Sequence, residues 1–233
     1  MAHSLLLLLK GPMQSWGDSS RYKQRTTGQV PTKSGVIGLL AAAEGRRRTD
    51  PIEDLTELTM AVRVDQPGSL LRDYQTALAD GAKHANLVTR YYLSDAVFVV
   101  ALESPRPEVI EGLAAALKNP RFPLYLGRRS CPAPVNLVLG IVDKPAVEAL
   151  LAEPWHAADH HRKSRAKNVE LPVYRDGRPG ETGGFARQDV PVSFSQERRD
   201  YSWRTVVLET GGCRFANDMG TSVDPFFETV ISA

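Results

Sequence analysis

Cysteine is scarce in this 233-residue chain, with Cys131 and Cys213 as the only two. They lie far apart and outside any metal-ligand spacing, which excludes a disulfide framework and fits a reducing compartment. No apolar run approaches the roughly 18–20 residues of a membrane span. The leucines at positions 5–9 follow no Lys or Arg, stop at Lys10 and precede no small-residue cleavage site. A secretory signal is therefore not expected, and the expected location is cytoplasmic. Excess charge of one sign is lacking as well: 29 Lys and Arg against 27 Asp and Glu leave +2, which excludes a bulk polycation. P-loop, Rossmann, nucleophile-elbow and HExxH patterns are all missing, so neither cofactor nor metal is expected.

What is present is the content of an ordinary folded chain, 42% hydrophobic and long enough for one large domain or two small ones. Its cations are bunched, at residues 46–48, 128–129, 160–167 and 198–199. Local bunching on a near-neutral background suits a shared polyanion such as RNA held in a protein assembly, with solvated surface as the plain alternative. Residues 156–161 (HAADHH) place His156 and His160 four apart, a zinc spacing only if a third ligand joined them, and none is spaced to do so.

Residues 4–10 read as a buried strand ending at Gly11-Pro12, and residues 31–43 as a small apolar helix whose N-terminus carries Thr32, Lys33 and Ser34. A half-wet strand over 58–64, a polar insertion over about 69–94, a strand over 96–102 and a helix from Pro107 to Asn119 follow. Short strands are expected at 123–126 and near 135–139. The order β-α-β, insertion, β-α-β predicts an α+β fold with a ferredoxin-like or RRM-type domain over 1–145, one sheet face being left open for RNA. Residues 146–233 read as a helix followed by a smaller strand-rich region.

Several groups point to nucleic acid. The loop after the first strand offers the amide of Gln14, the hydroxyl of Ser15 and the indole of Trp16 to an unstacked base; the alternative is a Trp that caps the sheet edge. Lys33 and Ser34 sit at a helix start, whose free N–H groups favour phosphate. The insertion interleaves cations with aromatics (Arg72, Tyr74, Gln75, Lys83, Arg90), a pattern that grips a backbone and wedges between bases. His84 beside Lys83 could also deprotonate a 2′-OH in metal-independent RNA cleavage, although the dipeptide is a weak signal.

The segments LLLLLKGPMQSWG (5–17), PTKSGVIGLLAAAEG (31–45), LYLGRRSCP (124–132) and DVPVSFSQERRDYSWRTVVL (189–208) resemble the CasD family of type I-E CRISPR Cascade subunits. The loop Gly127, Arg128, Arg129 and Ser130 resembles the glycine-containing loop of CRISPR RAMP proteins: glycine permits close approach to a phosphate and the arginines supply planar forks. The resemblance implies the same ferredoxin-like fold, with the insertion as a projecting thumb hairpin. It implies a non-catalytic RNA-binding subunit for antiviral defence, holding the crRNA 5′ handle and capping a filament of backbone subunits. Contact with the Cascade large subunit, and with target DNA indirectly through the complex, is implied too. The alternative is a metal-independent endoribonuclease that processes precursor crRNA, with Lys83 and His84 at its centre.

Overall fold

The leucine run sets the architecture. In β1 (His3–Lys10), Leu5, Leu7 and Leu9 enter one apolar layer while Leu6 and Leu8 enter another. A continuous apolar run, rather than an alternating one, is what a strand covered on both faces needs. The computed structural model describes residues 2–17, 24–78, 81, 84–195 and 197–221.

After β1 come β2 (Met13–Gln14), β3 (Gln24–Arg25), α1 (Lys33–Glu44), α2 (Glu53–Thr56), β4 (Thr59–Gln66), β5 (Ser69–Ala77), β6 (Asn86–Ser94), β7 (Val97–Ser104), α3 (Pro107–Lys118) and β8 (Val138–Val142). β4, β7, β1 and β8 lie side by side, all antiparallel, with Leu5 opposite Leu102 and Val62 opposite Val100. That order is the ferredoxin-like one for a βαββαβ chain. β5 and β6 form a hairpin between β4 and β7, at the place of the insertion. It leaves the sheet and pairs instead with β2 and β3.

The second part of the chain contributes α4 (Ala146–Ala152), α5 (Asp159–Lys163), β9 (Asn168–Leu171), β10 (Val173–Asp176), β11 (Phe185–Ser193), β12 (Asp200–Leu208) and β13 (Cys213–Ala216). β10 pairs with the outer edge of β4, and β12 and β11 follow, so one seven-stranded sheet crosses the boundary expected near residue 145. α1 and α3 cover one face. On the other face, α4 and the β9–β13 ribbon bury Leu6, Leu8, Ala61, Val97, Val99 and Ala101. The expectation of a sheet face open to RNA is therefore corrected: apolar residues on both sides of β1, β4 and β7 demand two covers.

Two local expectations also change. Residues 123–126 form an isolated bridge, Tyr125 opposite Pro132, rather than a strand. The next strand begins at Val138, three residues beyond the predicted start, because Pro132 and Pro134 lack donors and Val135 projects fully into solvent. Among the described residues no helix is long and apolar enough to cross a membrane.

Two carboxylates join the parts. Asp176 on β10 accepts from Lys33 Nζ at 2.9 Å, from the Met60 amide at 2.9 Å and from Arg204. Asp189 on β11 is buried and accepts from the Lys33 amide at 2.9 Å and from Arg204 Nε at 2.6 Å, with Arg187 Nε 3.4 Å away. Burial alone would lower the Arg204 pKa, but its bonds and charge attraction to Asp189 and Asp176 outweigh this and raise it. Removing one member leaves buried charge uncompensated, which costs about 3–5 kcal/mol. Asp189→Ala should lose about that much in a urea unfolding titration, with the slope m unchanged.

Candidate nucleic-acid interface

α1 lines the principal cleft. Its first turn is fixed by Thr32, whose hydroxyl accepts from the Gly35 amide at 3.1 Å. Ser34, Gly35, Gly38 and Ala42 give this helix a low wall, and the rim is made by residues 46–48, by Phe122, Pro123, Tyr125 and residues 127–129, and by Phe194, Glu197 and residues 199–201. The cleft measures about 1670 Å³ and gathers Arg25, Arg46, Arg47, Arg48, Arg128, Arg129 and Arg199, against the acids Glu197 and Asp200. Phe122, Tyr125, Phe194 and Tyr201 stand among them. Arg46 is engaged by Glu44 and Asp54, which raises its pKa, the bond to Asp54 being the main cause. The side chains of Arg25, Arg47, Arg48, Arg129 and Arg199 make no ion pair among the described residues. Cations beside aromatics in one concavity can hold phosphates and receive splayed bases.

The expected site residues divide sharply. Trp16 is 1% exposed and lies beneath Gly35, its indole N–H donating to Gln14 Oε1 at 3.0 Å. The Gln14 amide is spent on the carbonyls of Leu9 and Ala96, at 2.9 and 2.7 Å. Ser15 is buried and donates to the Tyr91 carbonyl at 3.3 Å. This loop is therefore a core plug rather than a stacking platform, because β1 ends and β7 begins here, leaving carbonyls of Leu9 and Ala96 that need donors. Lys33 is 6% exposed and held by Asp176, and the backbone amide beside it is already taken by Asp189. The expected phosphate site at the helix start is thus filled in part by the protein's own acid. Ser34 stays on the cleft wall, its hydroxyl 3.4 Å from Thr32 Oγ1.

Gly127 has φ +86°, and a Cβ there would overlap the Ser15 carbonyl. Its closest approach is to its own chain, while its outer side lines the cleft. Arg128 also lines the cleft, half-buried, but its guanidinium is already engaged: it donates to the carbonyls of Tyr91, Arg25 and Thr26 at 3.1–3.2 Å and lies 4.8 Å over the Tyr92 ring. Arg129 and Ser130 are exposed. Burial pushes the Tyr92 phenol up, but hydrogen bonds from Ser130, Arg128 and Arg90 outweigh it and leave the pKa below its ordinary value.

On the hairpin, Arg72 lies 5.8 Å from the Tyr74 ring and Gln75 is exposed. Arg90 is half-buried, and its Nε lacks a hydrogen-bond partner. His84 is exposed near the hairpin end, and Lys83 lies outside the described residues. His156 pairs with Glu153 and His160 with Asp95, so the two histidines turn to separate acids. Arg25, Arg47, Arg48 and Arg199 join the cleft without having been singled out individually from sequence; for three of them the bunching at 46–48 and 198–199 was the available signal.

A family model described as CRISPR-associated protein (Cas_Cas5) matches residues 4–207. The chain belongs to the Cas5 family. It is 42% identical over 160 residues to the CRISPR system Cascade subunit CasD of Escherichia coli (strain K12), covering 60% of this chain and 71% of that protein. Its fold is similar to a chain solved in a CRISPR RNA-guided surveillance complex, with a TM-score of 0.76, 32% identity, and coverage of 97% of this chain and 96% of the other. A second solved Cas protein matches with a TM-score of 0.68 and 37% identity over 95% of this chain and 100% of its own. The mixed helix and antiparallel sheet of this Cas5 chain agree with both.

Within this Cas5 fold, Arg128 ties the hairpin root to the 127–130 loop. Arg128→Ala should cost about 1.5–3 kcal/mol, the scale for bonds to a charged group. Amide exchange around Tyr91 and the loop should speed up, and exchange rates equal to the parent's would contradict the tie.

Proposed function

We propose that this chain is a non-catalytic RNA-holding subunit of a Cascade surveillance complex, with the crRNA 5′ handle seated in the arginine-lined cleft. The observation that carries the reading is the set of cations without ion pairs among the described residues, Arg25, Arg47, Arg48, Arg129 and Arg199, around a concavity that also presents Phe122, Tyr125, Phe194 and Tyr201. Arginine forks neutralise phosphates, and the aromatic rings take bases turned out of the stack. Similarity to E. coli CasD and to a chain of an RNA-guided surveillance complex supports membership of such an assembly. The exposed hairpin, with Leu70, Tyr74, Leu78 and Leu87 uncovered, is the surface that caps the backbone-subunit filament. Contact with the large subunit, and through it with target DNA, completes the reading.

With Arg128 engaged by three carbonyls, RNA contact falls to Arg129 and its neighbours across the cleft. Replacing Arg47, Arg48, Arg129 and Arg199 by Ala should flatten the salt dependence of handle binding by about 0.7 unit of slope per lost contact. A filter-binding titration over salt reads this. RNA extracted from the assembled complex should share one repeat-derived 5′ end, and random ends would sink the handle assignment.

The endoribonuclease reading has less support. A catalytic base must be held within reach of its proton. His84 stands exposed near the hairpin end without a hydrogen-bond partner among the described residues, and the acidified phenol of Tyr92 is buried. The purified chain in EDTA should leave a full repeat-containing precursor uncut. Site-specific cleavage that vanishes in His84→Ala would establish the ribonuclease instead.

A further inference from the structure

On the opposite face of the main sheet from the cleft, residues 162–167 form a second cationic surface that the handle reading does not use. Lys163, Arg165 and Lys167 are exposed, and none makes an ion pair among the described residues. The acids nearby are otherwise engaged: Asp218 with Arg162, Glu170 with Arg214 and Asp95 with His160. Asp159 opens α5 but pairs with none of the three.

This segment is held unusually firmly for an exposed charged stretch. Asn217 is 2% exposed, and its amide donates to the carbonyls of Arg162 and Ala166 at 2.7 and 3.0 Å. Its backbone N–H donates to the Lys167 carbonyl at 2.7 Å, and the Thr221 amide donates to Arg165. Gly220 packs so closely on Ala166 that a Cβ would collide with its carbonyl. Three cations with no ion pair among the described residues, on a clamped backbone, are pre-organised for a partner whose charges are themselves regularly spaced.

We propose that Lys163, Arg165 and Lys167 grip the phosphate backbone of duplex DNA, separate from the RNA in the cleft. The choice of duplex follows from the aromatics. Single strands are gripped by cations together with open ring faces. Here the neighbouring aromatic, Trp155, carries Arg162 5.4 Å over its ring and His161 edge-on at 6.3 Å. A duplex keeps its bases stacked inside and needs only its phosphates neutralised. The inference rests on the cleft reading, which places a guide RNA on the other face.

The test uses the assembled complex carrying K163Q, R165Q and K167Q, titrated with a short random-sequence duplex over a salt series. The log–log salt slope should be shallower than the parent's by roughly 2–3 units, about 0.9 for each lost phosphate contact, with guide RNA retained. RNA-loaded particles with an unchanged slope overturn this inference alone. Loss of the guide RNA, or of another subunit, in the variant also overturns it, by assigning the patch to RNA or to an acidic protein surface. Parent complexes free of RNA overturn the cleft reading and this inference with it.

Discussion

Asp189 is a buried acid that must be satisfied, and the way it is satisfied shapes the molecule. Its carboxylate takes the first amide of α1 and the Arg204 guanidinium, while Asp176 takes the Lys33 ammonium and the other side of Arg204. These bonds fix the N-terminus of α1 against strands that arrive more than a hundred residues later. One wall of the cleft is α1, and the far rim comes from the segment between β11 and β12. The two carboxylates, with Arg187 donating to the carbonyls of Val30 and Pro31, hold the cleft's two sides together.

A second set of constraints fixes the hairpin. Gly127 presses on Ser15, Arg128 spans Tyr91, Arg25 and Thr26, and Gln66 donates to the carbonyl and side chain of Asp95 at the hairpin's return. The root is therefore rigid, while the outer half exposes Tyr74, Leu78 and Leu87. A stiff base and an uncovered outer half suit an element whose contacts are made in an assembly.

A third constraint closes the sheet's other face. Arg63 and Asp65 are both fully buried and pair at 2.6 Å. Arg63 also donates to the carbonyls of Leu150, Glu153 and Pro154, and Asp65 accepts the His156 amide. This buried pair docks the end of α4 and the chain after it beneath the sheet, which is how α5 and its cations come to lie across the sheet from the cleft.

Periodicity made much of the fold legible. The leucine run, the 96–102 strand, the Pro107 helix and the polar insertion each carry a local signal, and their order dictates the ferredoxin-like core. The CRISPR family was legible too, because its segments are spread along the chain in order. Side-chain roles were less so. Trp16 and Gln14 look like exposed loop groups by type, yet the ends of β1 and β7 present carbonyls that draw them inward. Arg128 and Arg129 are identical in sequence terms, and the approach of β6 and of the β3 segment decides that the first is spent on carbonyls while the second faces solvent. The sequence by itself determined the elements and their order, since these follow from local period and turn chemistry. Tertiary structure decided which of the described cations are spent, because decisive partners such as Asp176 and Asp189 for Arg204, and the carbonyls of Tyr91 and Arg25 for Arg128, arrive from distant parts of the chain.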